Sequence, residues 1–254
     1  MNWHERFKIQ ANWTKNLRLF LYQQIGIKNT SRILEVGSGT GVITEELSTL
    51  TSVRPVGVDL LFDRNSVAQE NTKRCDFACG DAYQLPFQSW SFDVVVCHYL
   101  LLWLKKPVDA VREMLRVVKP GGVIAALAEP DHLSRVDYPR ELWRLGEMQT
   151  QSLIAQGANP MTGRQLPEIF AHTGVENPQF GASGFQIDPG RIPEWVESEW
   201  ETLCGDLSDM VSPDELTSLE NMDLVARKSG CRVLWVPTFY EYGNSPVKKV
   251  TNLI

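Results

Sequence analysis

Short apolar runs alternate with longer amphipathic stretches along residues 31–130. The apolar runs predict strands, and the stretches between them carry apolar residues at helical spacing. This alternation is typical of βαβ units around a parallel sheet. The predicted strands cover 32–36, 53–58, 76–78, 92–97 and 123–128, and the predicted helices cover 42–50, 63–73 and 107–118. The tetrapeptide Lys119-Pro120-Gly121-Gly122 predicts the end of the last helix and a turn.

The pattern changes after Pro130, where helical spacing dominates. Helices are predicted at 142–156, 166–173, 194–207 and 213–228, and a β-rich segment at 231–242 is expected to pair with an apolar strand near 180–187 at the sheet edge. Residues 13–22 also carry apolar side chains at helical spacing and are expected to pack against the sheet. We expect one domain over 1–254, with an N-terminal helical cover at 1–30, a core at 31–130, and lid helices with the final strands at 131–254.

Three glycines at alternate positions follow the first predicted strand and precede a helix, in Val36-Gly37-Ser38-Gly39-Thr40-Gly41. Glycines let a ligand approach the backbone closely beside a helix N-terminus, which favours a nucleotide-type cofactor; a plain tight turn is the structural alternative. A dinucleotide site prefers Gly-x-Gly-x-x-Gly, whereas the third glycine comes one residue early and Val42 stands at the small-residue position. No Gly-Lys-Ser/Thr is present, so a P-loop is excluded.

Acidic residues end the next two predicted strands. Asp59 follows Val56-Gly57-Val58, and Asp81 follows Cys79-Gly80. Either could be a simple helix cap, but the carboxyl ends of parallel strands meet at one edge of the sheet, where ligands bind. Asp59 also stands at about the distance past the glycines where an acid hydrogen-bonds ribose hydroxyls. The glycines and the two acids are therefore expected to share one crevice.

Glu35, two residues before the first glycine, completes a motif that resembles motif I of class I S-adenosylmethionine (SAM)-dependent methyltransferases. Residues 85–95 and 115–122 are similar to the approaches to the fourth and fifth strands of these enzymes, and the closest group is methyltransferase type 11, which includes ubiquinone and menaquinone methylases. The resemblance implies a doubly wound, seven-stranded Rossmann-like α/β sheet with helical lid insertions. It implies SAM as cofactor, with Asp59 on the ribose and Asp81 on the adenine amino group, and contacts from Glu35, Gly37, Ser38, Gly39, Gly41, Asp59, Leu60, Asp81, Ala82, Cys97 and Trp13.

The resemblance also implies an enzyme that transfers the sulfonium methyl group by in-line displacement to the oxygen, carbon or nitrogen of a small organic acceptor. Such a step depends mainly on positioning and on excluding water. The alternative is a SAM-binding protein without activity that serves as a partner or regulatory module.

Two residues are candidates for catalysis. His98 ends the fourth strand within Cys97-His98-Tyr99-Leu100, where related methylases of bases and amides carry Asn/Asp-Pro-Pro-Tyr/Phe, so such amines are not expected as acceptors. His98 is predicted to act as a general base or to orient the acceptor, or else only to shape the site. Glu129 follows the fifth strand and could face the acceptor or the sulfonium, or belong to a capped loop.

A metal site is not expected. His98, Glu129, Asp131 and His132 could converge as in some catechol methylases, but the ligand spacing of those enzymes is not recognisable in this chain.

The cover and the lid supply further candidates. The N-terminal helix is expected to bring Trp3, Trp13, Thr14 and Arg18 towards the cofactor, although core packing could explain Trp13. Lid helices carry Trp143, Trp195 and Trp200, which could contact a flat acceptor or belong to the core. Residues 188–223 hold eleven acidic side chains and one basic one, which indicates a solvated face, or else a surface that disfavours anionic acceptors or attracts cationic ones.

Composition narrows the partners. The chain has 254 residues with 43 % apolar content, enough for a real core, and a net charge of −6, divided as +2 over residues 1–130 and −8 over 131–254. This balance argues against sequence-independent nucleic-acid binding, so a small-molecule partner is expected. The longest apolar stretch, 94–104, is too short to span a membrane, and the N-terminus lacks a signal-peptide pattern. Five scattered cysteines favour reduced thiols and the cytoplasm; the oligomeric state stays open.

Overall fold

A seven-stranded sheet forms the centre of the structure, a computed structural model that describes residues 2–183 and 196–247. The strand order is β3-β2-β1-β4-β5-β9-β7, in which the first five strands run parallel and β9 is antiparallel to both neighbours. The predicted doubly wound fold class is confirmed. The strands of this sheet are β1 Ile33–Val36, β2 Val56–Asp59, β3 Asp76–Cys79, β4 Phe92–Cys97, β5 Val118–Pro130, β7 Glu176–Ser183 and β9 Thr238–Asn244.

Helices cover both faces of the sheet, so the central strands are buried on both sides and are mostly apolar. On one face, Val95 and Ile124 pack with α5 and α7; on the other, Val94 and Val96 pack with α2 and α3. The helices in the described residues are α1 Trp3–Trp13, α2 Lys15–Gln24, α3 Val42–Leu47, α4 Phe62–Asn71, α5 Pro107–Val117, α6 Trp143–Ala155, α7 Thr162–Ala171, α8 Val196–Leu207 and α9 Pro213–Lys228.

A second apolar core holds the lid together. It is formed by α6, α8 and α9, with Leu145, Trp200 and Leu219 among its buried side chains. Strands β6 Val136–Tyr138 and β8 Val233–Trp235 pair as a separate antiparallel ribbon beside this core. The lid therefore has its own apolar packing, distinct from that of the sheet.

Two sequence predictions fail near the glycines of β5 and at the N-terminus. Residues 119–122 were expected to form a turn, but they belong to β5, and the Gly121 N–H donates to the Ser245 carbonyl at 3.0 Å. A Cβ on Gly122 would lie 2.7 Å from the Asp93 carbonyl oxygen, so the strand passes too close for a side chain. At the N-terminus, α1 lies before the span 13–22 for which helical spacing was noted, and that span is interrupted at Thr14, where α1 ends before α2 begins.

The β-rich segment 231–242 divides between two sheets. Only its second part, in β9, pairs with β7 at the sheet edge as predicted; its first part, β8, pairs with β6 in the lid. Residues 184–187 of the expected edge strand lie outside the described residues, as do the predicted start of the helix at 194 and Trp195.

The acidic stretch of the lid is not simply a solvated face, which corrects one expectation. Asp223 is buried and accepts hydrogen bonds from Arg227 Nε at 2.7 Å, Arg232 Nε at 2.6 Å and Trp200 Nε1 at 3.1 Å. Arg232 continues to Asp137 on β6 at 2.7 Å. Because these ion pairs are buried, removing one partner would leave an uncompensated charge in the lid.

Among residues 2–183 and 196–247, no helix combines the length and the apolar character needed to cross a membrane.

Candidate cofactor and acceptor site

One large cavity, of about 1490 Å³, lies at the carboxyl ends of β1 to β4 and extends between α1, α6 and α8. Its position follows from the topology, because the crevice of an open α/β sheet lies where the parallel strands end. The structure brings most of the predicted site residues to the wall of this cavity: Glu35, Gly37, Ser38, Gly39, Asp59, Leu60, Asp81, Ala82, His98 and Trp13.

The glycine turn is held by β2 and covered by α1. The N–H groups of Gly37 and Ser38 donate to the Val58 carbonyl at 2.8 and 3.0 Å. Gly39 has a φ of +53°, and a Cβ there would lie 2.8 Å from Phe7 Cε2. A side chain at this position would therefore be strained and would displace α1, so glycine is required both for the turn and for the close cover.

Asp59 serves the turn as well as the cavity. One carboxylate oxygen accepts from the Gly39 N–H at 2.8 Å, and the other accepts from the Leu61 N–H at 2.9 Å. Charge-assisted hydrogen bonds of this kind are stronger than neutral ones. Asp59 thus fixes the glycine turn against the end of β2 while it lines the cavity.

Glu35 presents a buried carboxyl group to the cavity. Thr44 Oγ1 donates to it, and no ion pair joins it to any described residue. Burial raises the pKa of Glu35 to about 8, although the Thr44 hydrogen bond and the nearby Arg18 charge act in the opposite direction. A carboxyl group in this situation gains from the arrival of a cationic ligand group.

His98 is held through a chain of contacts from the N-terminal helices. Its Nε2 lies 2.8 Å from Thr14 Oγ1, which also accepts from Arg18 NH1 at 2.6 Å. The roles in this contact depend on the His98 tautomer: Thr14 Oγ1 donates to an unprotonated Nε2, or accepts from a protonated one while its own hydroxyl donates to the Ala11 carbonyl at 3.5 Å. Burial, with the Arg18 charge, lowers the pKa of His98 well below its usual value, so the ring is neutral.

Glu129 is not brought to the cavity. It is wholly buried, and its carboxylate accepts from the backbone N–H groups of Leu100, Leu101 and Leu102 at 3.0, 2.9 and 3.2 Å. Burial raises the pKa of Glu129 to about 7, against the effect of these donors. Glu129 therefore holds residues 100–102 in place and does not face the acceptor as one reading of the sequence expected.

Three further expected contacts also lie away from the cavity wall. Cys97 is buried in the core of the sheet. Gly41 packs closely against Phe77, since a Cβ on Gly41 would lie 2.7 Å from Phe77 Cζ. Arg18 is buried in a bidentate pair with Glu46, at 2.9 and 2.6 Å.

In the part of the chain that the structure describes, no three His, Cys, Asp or Glu side chains lie close enough together to hold a metal ion.

The expected lid aromatics do not reach the cavity either. Trp143 is 57 % exposed on the surface, and Trp200 is buried in the lid core. The lid, α1 and α4 contribute residues that the sequence did not indicate: Arg6, Phe7, Arg64, Arg135, Gln149, Glu199 and Asp206. Among these residues, Phe7 could have been identified from the sequence, since it follows Trp3 at helical spacing and therefore lies on the same side of the helix.

A mostly parallel sheet in this strand order, with glycines and acids around one crevice at the strand ends, is the Rossmann-like arrangement of class I methyltransferases. Residues 34–126 match the sequence model of the methyltransferase domain. Over these residues the chain is similar to class I SAM-dependent methyltransferases, among them demethylmenaquinone and ubiquinone/menaquinone methyltransferases.

Relatives agree with this assignment. The chain is 32 % identical to an uncharacterized methyltransferase of Schizosaccharomyces pombe, over 70 % of this chain and 63 % of that protein. It is 34 % identical to a demethylmenaquinone methyltransferase of Renibacterium salmoninarum, over 46 % of this chain and 50 % of that protein. The chain thus spans about half to two-thirds of the length of these relatives.

A solved structure shares the fold. A phosphoethanolamine N-methyltransferase of Haemonchus contortus in complex with S-adenosyl-L-methionine superposes with a TM-score of 0.57 at 18 % identity, covering 92 % of this chain and 53 % of that chain.

Proposed function

We propose that the protein transfers the methyl group of SAM to a small organic acceptor by in-line displacement. The observation that carries this proposal is the single cavity that joins the glycine turn, Asp59 and Asp81 to His98 and the lid. At about 1490 Å³, it exceeds the range of roughly 300–1,000 Å³ that is usual for one small ligand, which leaves room for cofactor and acceptor together.

The cofactor contacts follow from the chemistry of SAM. Asp59 would accept from the ribose hydroxyls and Asp81 from the adenine amino group, since both are carboxylates on the cavity wall. Glu35, buried beside the glycine turn and without an ion pair to any described residue, would receive the ammonium of the methionine moiety. When bound, the cofactor supplies an activated methyl group on a sulfonium.

The protein's own contribution is to position the two reactants and to exclude water, which can account for most of the rate in such a transfer. We assign His98 the role of orienting the acceptor through its neutral ring. A role as base is less favourable, because protonation would place an imidazolium near Arg18 in a buried site. Glu129 acts through Leu100–Leu102, which it fixes beside His98.

Cofactor binding is tested first, by isothermal titration with SAM and S-adenosylhomocysteine (SAH). Asp81→Asn should weaken binding at least about ten-fold, the cost of losing one charge-assisted hydrogen bond. Asp63→Asn is the matched control, since Asp63 is exposed on α4 and does not line the cavity. If neither SAM nor SAH binds at millimolar concentration, the proposal is wrong.

Turnover then separates the enzyme from a SAM-binding protein without activity. SAH production is measured with quinol, phenol and amine acceptors against a control without acceptor. Acceptor-dependent SAH supports the transferase, and cofactor binding without turnover across the panel supports the inactive alternative. His98→Ala should lower kcat while SAH affinity stays unchanged; equal turnover of this variant would remove His98 from the mechanism.

We also place the protein in the cytoplasm, acting on a small molecule and not on nucleic acid. All five cysteines are free in the structure, which supports a reducing compartment.

A further inference from the structure

The part of the cavity wall formed by α6, α8 and residues 132–135 is polar and carries charge of both signs. Most of this charge is already paired. Arg135 donates to Asp137 through Nε at 2.5 Å and NH2 at 3.1 Å, and through NH1 to Gln149. Arg6 on α1 lies 3.9 Å from Asp206 on α8. Both arginines therefore face the cavity with a carboxylate partner already in place.

Glu199 on α8 differs from these groups. It lines the same wall, yet no hydrogen bond or ion pair joins its carboxylate to another residue within 2–183 or 196–247. Burial raises the pKa of Glu199, while the charges of Arg6, Arg135 and Arg227 act in the opposite direction and that of Asp206 adds to the rise. Glu199 is partly buried, and its carboxylate, without a direct protein partner, can accept a hydrogen bond from a ligand that enters the cavity.

His132 supplies a second polar group on this wall that lacks a partner. Its Nδ1 has no solvent-accessible surface and no hydrogen-bond partner among the described residues. Burial lowers the pKa of His132 to about 4, with Arg135 acting in the same direction, so the ring is neutral. The neutral imidazole adds no positive charge to this wall that would repel a cationic ligand.

We propose that Glu199 recognises an amino group of the acceptor, so that the substrates of this protein are amines. This inference rests on the proposed methyl transfer, because the wall belongs to the same cavity as the cofactor residues. It concerns recognition and does not depend on which atom of the acceptor is methylated. Acceptors with a carboxylate or phosphate at this position are repelled by Glu199.

The test uses matched ligands on the SAH-saturated protein. Two sets share a skeleton and differ in the head group: 2-phenylethylamine, 2-phenylethanol and 3-phenylpropionate, and butylamine, butanol and butyrate. Titration calorimetry should show at least one amine binding about ten-fold or more tightly than its alcohol, and the acid binding most weakly. If no amine binds more tightly than its own alcohol, the proposal is overturned.

Two variants assign the effect to Glu199. Glu199→Gln keeps the size of the side chain and should reduce amine affinity about ten-fold, to that of the alcohol, with alcohol and SAH affinities unchanged. Glu197→Gln, on the exposed side of the same helix, is the control and should leave all three unchanged. An amine preference that survives in Glu199→Gln overturns the assignment.

The outcomes also separate this inference from the proposed function. If SAH itself does not bind the wild-type protein, the methyl transfer fails; if SAH binds and the amine preference is absent, only the amine inference fails. Should Glu199→Gln lose SAH binding through misfolding, the wild-type comparison of amine and alcohol decides alone.

Discussion

Cofactor binding should release a proton from Glu35, and the structure gives the expected amount. Burial raises the pKa of this carboxyl to about 8, so in the empty site at pH 7 it is about nine-tenths protonated. An ammonium placed against Glu35 favours the carboxylate, and the proton must leave. Titration of SAH at pH 7 is therefore expected to release about 0.9 protons per site from Glu35.

The assay is calorimetry in three buffers that differ in ionisation enthalpy. The slope of the observed binding enthalpy against the buffer enthalpy counts the protons released. The affinity should also rise up to about ten-fold per pH unit between pH 6 and 8 and then level off, since each pKa unit corresponds to about 1.4 kcal/mol. Above pH 8 the group is already ionised in the empty site, and the dependence ends.

Two variants make the result specific. Glu35→Gln cannot release this proton. The slope of binding enthalpy against buffer enthalpy measured with this variant therefore gives the protons released by the ligand's own amino group and by all other sites. Glu45→Gln, an exposed neighbour on α3, should behave as wild type. If wild type and Glu35→Gln show the same proton release, the ammonium does not bind at Glu35 and the placement of the cofactor is wrong.

Three further substitutions should change stability or affinity in defined directions. Burial raises the pKa of Glu241 to about 7, so the stability that its protonated form provides is lost as pH rises from about 4.5 to 7. Glu241→Gln should therefore raise the free energy of unfolding at pH 8, by at most about 3 kcal/mol. If chemical denaturation of this variant at pH 8 shows no gain in stability, the prediction is wrong. Arg18→Met removes the buried pair with Glu46 and should cost about 3 kcal/mol or more, checked by the denaturation midpoint; a cost under about 1 kcal/mol would argue against a structural role for the pair. Gly39→Ala should weaken SAH binding at least about ten-fold through strain and displacement of α1, whereas Gly205→Ala, with open space around it, should not; equal affinities would refute the close-cover argument.

The sheet core was predictable because its signal is local. Strands β1 and β4 are mostly apolar and are buried between helices on both faces, and much of the chain between the strands has helical spacing. The acids at the strand ends were predictable for a topological reason, since parallel strands deliver their carboxyl ends to one edge. Glu35, Asp59 and Asp81 therefore reach the cavity as expected.

The parts that the sequence did not reveal depend on contacts between distant segments. Glu129 stands where an acceptor contact was expected, but three backbone N–H groups of residues 100–102 turn its carboxylate away from the cavity. Helix α1 covers a polar site and buries only His4 and Ala11, so it has no apolar stripe to show in the sequence. Asp223 belonged to an acidic run, and only folding brings Arg232 and Trp200 to it.

The close cover of the glycine turn by α1 has a kinetic consequence. Phe7 lies against Gly39, so a ligand held at the turn can exchange freely only when α1 lifts away from it. The junction between α1 and α2 is Thr14, the residue that contacts His98. If α1 lifts by bending at this junction, the contact between Thr14 and His98 breaks in the same event. Under the proposed methyl transfer, product release and the resetting of His98 would then share one step, and the opening rate of α1 would set an upper limit on turnover.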